Sequence, residues 1–255
     1  MSWLEKAPLP VLGLLVLAIL AISVEAGYRG QAWLIRKRPA DHPSDGQNHL
    51  LSAILGLLAL LLGFTFSLGL SRYEARRAMV VQEANAIGTT WLRAQLLEEP
   101  NRTAMSGPLR AYVDARIAWS MSGADDADLA ATNALQAKLW TATGAAIRTD
   151  PSPQLSRAVM DAMNDSFDAA SARAAERAAH IPNRVFDVLL LYAVLSMLML
   201  GYTLAVGGRP HRIATGMVLV LLSLAVVVIL DLDRPRGGSI QVSQQPLVDL
   251  KASLR

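Results

Sequence analysis

The chain contains no cysteine, which excludes disulfide staples and thiolate metal sites. Aromatic residues make up only 5% of its 255 residues, which argues against a large, aromatic-rich soluble core. The four histidines, His42, His49, His180 and His211, are scattered and form no paired-histidine helix motif. A Gly-x-Ser-x-Gly elbow, a phosphate-binding loop and a dinucleotide fingerprint are also missing. With no nucleophile–base pair and no metal-ligand cluster, the expectation is a protein that is not an enzyme and uses no cofactor or metal.

Charge is absent from the interior of four apolar stretches, residues 8–27, 49–71, 185–207 and 211–232. Each has about the 20 residues that an α-helix needs to cross a ~30 Å hydrocarbon core. The net charge of +3 invites a nucleic-acid reading, but residues 72–184 hold 13 basic and 13 acidic side chains. The excess therefore borders the apolar stretches, where basic residues orient membrane helices, and no stripe remains for phosphates. Lys6 and Val24-Glu25-Ala26 loosely fit a cleaved signal peptide. Glu5 offsets Lys6, however, and the apolar run is long for such a segment, so the first stretch reads as an uncleaved anchor.

These stretches predict an all-α membrane protein: four transmembrane helices, with an amphipathic helical domain at 72–184 inserted between helices two and three. A tail follows at 233–255. The first helix is expected to end near Gly27, before a polar connection with Arg36-Lys37-Arg38, Pro39, Pro43 and Gly46. On the second, Gly56, Gly63 and Gly69 are spaced for close helix approach. No stop signal follows it, and Tyr73, Val80, Ala84, Ile87 and Trp91 keep helical spacing, so one long helix continues to a break at Pro100. Further amphipathic helices carry Leu109, Val113 and Ile117, then Leu135, Leu139, Ala142 and Ala146. Ser152 as N-cap and Pro153 at the first position open another, with Leu155, Val159, Met163 and Phe167 four apart. Gly207-Gly208-Arg209-Pro210 predicts a tight turn. In the tail, Ser239–Ser243 alternates like a short strand, and Pro246–Leu254 suits a brief helix.

Four crossings put both termini and the 72–184 domain on one face. Basic residues near membrane ends favour that face by eight to six, which places it in the cytoplasm of a multi-pass protein of the plasma (inner) membrane. The lipid bilayer is thus the first partner. Asp125, Asp126 and Asp128 open a predicted helix, where acids favour the dipole, and this outweighs a metal reading. Glu25, Asp187, Asp231 and Asp233 lie at membrane edges, within reach of Arg29, Arg184 or Arg234, and read as structural interface charges rather than transport groups. A charge-free interior also disfavours a proton or metal carrier. On helix two, Leu62 and Phe66 share a face with Leu55 and Ala59, with Ser52, Thr65 and Ser67 nearby. That face is either ordinary helix packing or, if several copies ring an axis, a hydrophobic constriction.

Three motifs point further. They are Leu62-Gly63-Phe64, Ser71-Arg72-Tyr73-Glu74-Ala75-Arg76-Arg77, and Glu83-Ala84-Asn85 running on to Trp91-Leu92-Arg93-Ala94. With Leu232-Asp233-Arg234-Pro235-Arg236-Gly237-Gly238-Ser239, Val242-Ser243 and Pro246-Leu247, they resemble the bacterial bestrophin-like domain family across nearly the whole chain. The resemblance singles out Arg72, Tyr73, Glu74, Arg76, Glu83 and Asn85. That family is distantly similar to bestrophins, pentameric anion channels with cytoplasmic termini, a helical cytosolic domain and a hydrophobic neck on helix two. Thr65-Phe66-Ser67-Leu68 departs from the polar residues bestrophins carry after this step, and Asp231 and Asp233 lie too close to the membrane to be assigned to their acidic calcium clasp. The resemblance implies a homo-oligomeric channel for small anions. The alternative is a membrane sensor or scaffold whose helical domain binds a ligand or partner without catalysis.

Overall fold

In the computed structural model the described residues are 7–37, 45–122, 126–149, 152–206, 211–236 and 238–254, and nearly all of them are helical. The helices are α1 (Leu9–Lys37), α2 (Asp45–Ala94), α3 (Asn101–Met121), α4 (Asp126–Thr149), α5 (Pro153–Ala178), α6 (Asn183–Val206), α7 (Arg212–Asp233) and α8 (Gln245–Ser253). No strand occurs among the described residues. The chain is an all-α membrane protein, with α1, the apolar first half of α2, α6 and α7 long and apolar enough to span a bilayer. Lys6, Arg38, Pro39, His42, Pro43, Asp125 and the Gly207-Gly208-Arg209-Pro210 turn lie outside the described residues.

Two expectations are corrected. The first helix does not end near Gly27 but continues to Lys37. Gly27 and Gly30 each cost the helix only about 1 kcal/mol, and no proline lies between Tyr28 and Lys37 to stop it. The Ser239–Ser243 segment is not a strand; no described neighbour offers a ladder of backbone groups for it to pair with.

The chain divides into two compact units. The first comprises Met1–Arg72 with His180–Ile240. In it α1 packs on α6 and α7. Its core joins Val16, Leu20 and Val24 of α1, Leu58 of α2, Leu189, Ala193 and Met197 of α6, and Leu219, Leu222, Val226 and Ile229 of α7. The outer faces are as apolar as the core, with Ile22, Leu57, Phe64, Leu191, Ile213 and Leu221 exposed. In water such a surface would be an aggregation patch, whereas in lipid it is solvated.

Close helix approach occurs where the spacing on α2 did not point. A Cβ on Gly27 would lie 2.0 Å from the Leu198 carbonyl oxygen, and one on Gly201 would lie 1.9 Å from that of Val24. Here α1 and α6 meet backbone to backbone through a reciprocal glycine pair. On α2, a Cβ on Gly69 would lie 3.3 Å from the Leu232 Cβ, but one on Gly56 or Gly63 would meet nothing within 4 Å.

The second unit comprises Tyr73–Ala179 with Gln241–Arg255. There α3 packs on α4 and α8, and α4 on α5. Val80, Ala84, Ile87 and Trp91 of α2 join Leu109 and Val113 of α3, Leu139 and Ala146 of α4, Val159 and Met163 of α5, and Leu247 of α8 in one core. The apolar stripes legible in the sequence are the ones buried. Ser152 caps α5 as expected, its hydroxyl accepting from the Leu155 N–H at 3.4 Å, with Pro153 next to it.

Candidate functional site

The membrane half of α2 presents three faces. One packs on the first unit's core through Leu58, with Leu55, Leu61 and Leu62 partly buried against it. Thr65 also points inward, its hydroxyl donating to the Leu61 carbonyl at 2.8 Å. A second, bulky face leaves Leu57, Leu60 and Phe64 exposed. The third carries Gly56, Ala59, Gly63, Phe66 and Leu70, all exposed, and its large side chains are Phe66 at 43% exposure and, one turn later, Leu70 at 38%. At 100° per residue these positions fall within a quarter-turn of one another. Leu62 and Phe66 are one turn apart, yet Leu62 leans into the core while Phe66 stands open.

Each membrane-edge carboxylate has its own surroundings. Arg29 Nε donates to Glu25 Oε1 at 2.6 Å, and Arg184 Nη1 lies 3.9 Å from Asp187 Oδ2, both exposed i,i+4 or i,i+3 pairs. Asp231 accepts from the Ser239 hydroxyl and from the Ile240 N–H at 3.4 Å. Asp233 accepts from the Ile181 N–H at 2.8 Å and lies 3.4 Å from His180 Nδ1. Arg234 donates to the Ala7 carbonyl at 2.8 Å. Asp231 and Asp233 therefore fasten irregular backbone next to α7, satisfying N–H groups that no helix satisfies.

Among the family-motif residues, Glu83 sits at the centre of the second unit with 0% exposure. Its two oxygens accept from Arg116 Nε and Arg173 Nη1, both buried. Arg173 also donates to the Gln244 side chain. The Trp119 ring lies under three guanidiniums, those of Arg116 at 4.3 Å, Arg177 at 4.4 Å and Arg173 at 5.2 Å. Burial pulls Arg173 below its ordinary value, and the Glu83 carboxylate acts against that. Arg177 donates to the carbonyls of Trp119 and Ser122 at 2.9 and 3.1 Å. Arg76 donates to the Ala179 carbonyl at 2.9 Å. Both place a cation at a helix C-terminus, of α3 and α5 respectively, where the macrodipole favours it.

The remaining motif residues are more open. Arg72 and Tyr73 are half-buried, and Glu74 and Asn85 are exposed. Glu74 and Asn85 line an open cleft of about 640 Å³ with Arg77, Val81 and Gln82. Asn85 also faces Asp165 and Asp168 of α5 across a second cleft of about 440 Å³. Among the described residues, no three His, Cys, Asp or Glu side chains converge to hold a metal ion.

Sequence reasoning found Glu83 but missed Arg116, Arg173 and Trp119. A signal was present. Arg116 continues the stripe of Leu109 and Val113, and Arg173 that of Val159, Met163 and Ala170, so each is a cation on a buried face that requires a partner.

Tyr112 is fully buried, edge-on to Phe167 at 6.0 Å, and its hydroxyl accepts from Gln136 Nε2 at 3.1 Å. Burial raises its phenol above the ordinary 10.0, with the Gln136 hydrogen bond acting the other way. A folded value above the unfolded one means that the native state holds the proton longer. The stabilisation is complete below the unfolded value and is lost as pH rises through the folded one. Unfolding midpoints should therefore fall once pH passes about 10, and Tyr112→Phe should flatten that fall. Equal alkaline slopes in both proteins would remove Tyr112 from the account.

The sequence matches the bestrophin-like domain family over residues 17–247. No curated protein matches it. Among solved structures, a bacterial bestrophin homologue from Klebsiella pneumoniae is similar at a TM-score of 0.69 and 15% identity, covering 96% of each chain. A variant of that homologue gives 0.68 at 15% identity, covering 97% of this chain and 98% of the other. A crystal structure described as a membrane protein gives 0.69 at 15% identity, over 96% and 97%. The matched residues take in all of α2, α6 and α7 and most of α1, so the chain is a multi-pass membrane protein that belongs to the bestrophin-like domain family.

Proposed function

We propose that the protein is a homo-oligomeric channel for small anions in the plasma (inner) membrane, with its termini and the 72–184 domain in the cytoplasm. The observation that carries this reading is the open face of α2. Gly56, Ala59 and Gly63 leave room beside it, and Phe66 projects from it, followed one turn later by Leu70 towards the end of the membrane half. Four helices around a filled core leave no conduit within one protomer. Several copies placing this face around an axis would bring their Phe66 rings together, with Leu62 one turn before each ring flanking the constriction. Such a neck gates by wetting and dewetting rather than by charge, in keeping with membrane spans whose charges stay near their ends.

The edge carboxylates Glu25, Asp187, Asp231 and Asp233 then serve as local structural partners and do not carry ions. Arg76 and Glu83 hold the second unit together, with Arg72 and Tyr73 half-buried at its start. Glu74 and Asn85, open in the clefts, are the motif residues left to face ions or a partner. The lipid bilayer and further copies of the chain are the required partners, and no cofactor is involved.

Liposomes containing the purified protein should pass chloride, and Phe66→Ala should raise the leak well above wild type by widening the neck. Particles in nanodiscs should contain a ring of several copies. Flux no greater than in empty liposomes across voltage, calcium and pH, or a strictly monomeric particle, would overturn the proposal.

A further inference from the structure

One cavity in the first unit plays no part in the channel proposal. It is a cleft of about 290 Å³ between α1, α6 and α7, walled by Val24, Leu204 and Leu219 and carrying the polar groups of Glu25, Tyr28 and Arg212. Its depth follows from the chain. Arg212 opens α7 directly before the apolar run that starts at Ile213, and Leu204 lies in the last turn of α6. The cleft thus sits where hydrocarbon gives way to headgroups. Farther along α1 the Lys37 ammonium stacks 3.7 Å over the exposed Trp33 ring, a pairing of the kind that anchors helices at a membrane interface.

Charge decides what the cleft suits. Glu25 already has Arg29 at 2.6 Å, so its carboxylate is answered within α1. Arg212 is exposed and makes no hydrogen bond or ion pair among the described residues. An apolar ligand would leave this cation unused, and a free anion would leave the apolar wall unused. A molecule with a phosphate at one end and hydrocarbon at the other uses both.

We infer that this cleft holds the headgroup end of an anionic phospholipid. Arg212 receives the phosphate, and the hydroxyls of Tyr28 and Thr215, the latter also in the cleft, supply further donors. Val24, Leu204 and Leu219 cover the start of the acyl chains. The volume is at the small end for ligand sites, so the tails remain in the bilayer.

The test uses the purified full-length protein in detergent, titrated separately with phosphatidylglycerol, phosphatidylcholine and inorganic phosphate and read by native mass spectrometry and thermal shift. Phosphatidylglycerol should bind tightest. Arg212→Gln should weaken it about five-fold, the contribution of one cation at a membrane surface, and Arg212→Lys should retain it. Gly216 also lines the cleft, and a Cβ there meets nothing within 4 Å, so Gly216→Leu should fill the space and abolish binding with Arg212 intact. Equal binding of phosphatidylcholine, an equal shift with inorganic phosphate, or unchanged affinity in Arg212→Gln or Gly216→Leu would each overturn the inference. Lipid binding is read without ion flux, so failure here and failure of the channel proposal are distinguishable.

Discussion

Glu83→Gln should destabilise the second unit by about 3–5 kcal/mol, the cost of removing one partner from a buried ion pair. The wild-type carboxylate bonds Arg116 and Arg173 at once, with all three side chains buried. Glutamine keeps the shape but leaves two like-charged guanidiniums over the Trp119 ring with no anion between them. A domain is stable by only about 5–15 kcal/mol, so the change removes a large fraction. Trp91 and Trp119 are buried in this unit, and their fluorescence gives a direct readout of denaturant unfolding. Adding Arg173→Met to Glu83→Gln should recover part of the loss, because an apolar replacement removes the stranded charge along with its desolvation cost. A Glu83→Gln midpoint equal to wild type would mean that the cluster contributes no net stability.

Gly201→Ala should disrupt the first unit, at or above the top of the roughly 1–3 kcal/mol range for overpacking. The added methyl would lie 1.9 Å from the Val24 carbonyl oxygen, and backbone cannot move aside as a flexible side chain can. Gly27→Ala should behave alike, because its methyl meets the Leu198 carbonyl at 2.0 Å. Gly56→Ala and Gly63→Ala are the controls. Nothing lies within 4 Å of either added methyl, so in the monomer both should be tolerated within about 0.5 kcal/mol. Thermal unfolding in detergent ranks the four, and equal effects at Gly201 and Gly56 would refute the backbone-contact account.

The glycines also show where sequence reading reaches its limit. Spacing on one helix reveals which residues share a face, and α2 does carry Gly56 and Gly63 together. Spacing says nothing about which face another helix approaches. Gly27 looked like a helix end because glycine is a frequent stop, whereas here its missing side chain lets α6 come close. The buried ion cluster followed a similar course. Glu83 was visible through the family motif, but Arg116 and Arg173 lie 33 and 90 residues away from it, and no local pattern links them.

The apolar stretches, the amphipathic stripes and the Ser152-Pro153 helix start determined by themselves that this is an all-α membrane protein with four apolar helices and a charge-balanced helical region. Each depends on hydrophobic periodicity or terminal hydrogen bonding, which act over a few residues and can be read in order along the chain. Only the tertiary structure decided that Gly27 and Gly201 form a backbone contact, that Glu83 answers two arginines, and that Leu62 leans into the core while Phe66 stands open. Those outcomes depend on which distant surfaces meet, because a side chain's burial and charge partners are properties of the packed molecule and not of its neighbours in sequence.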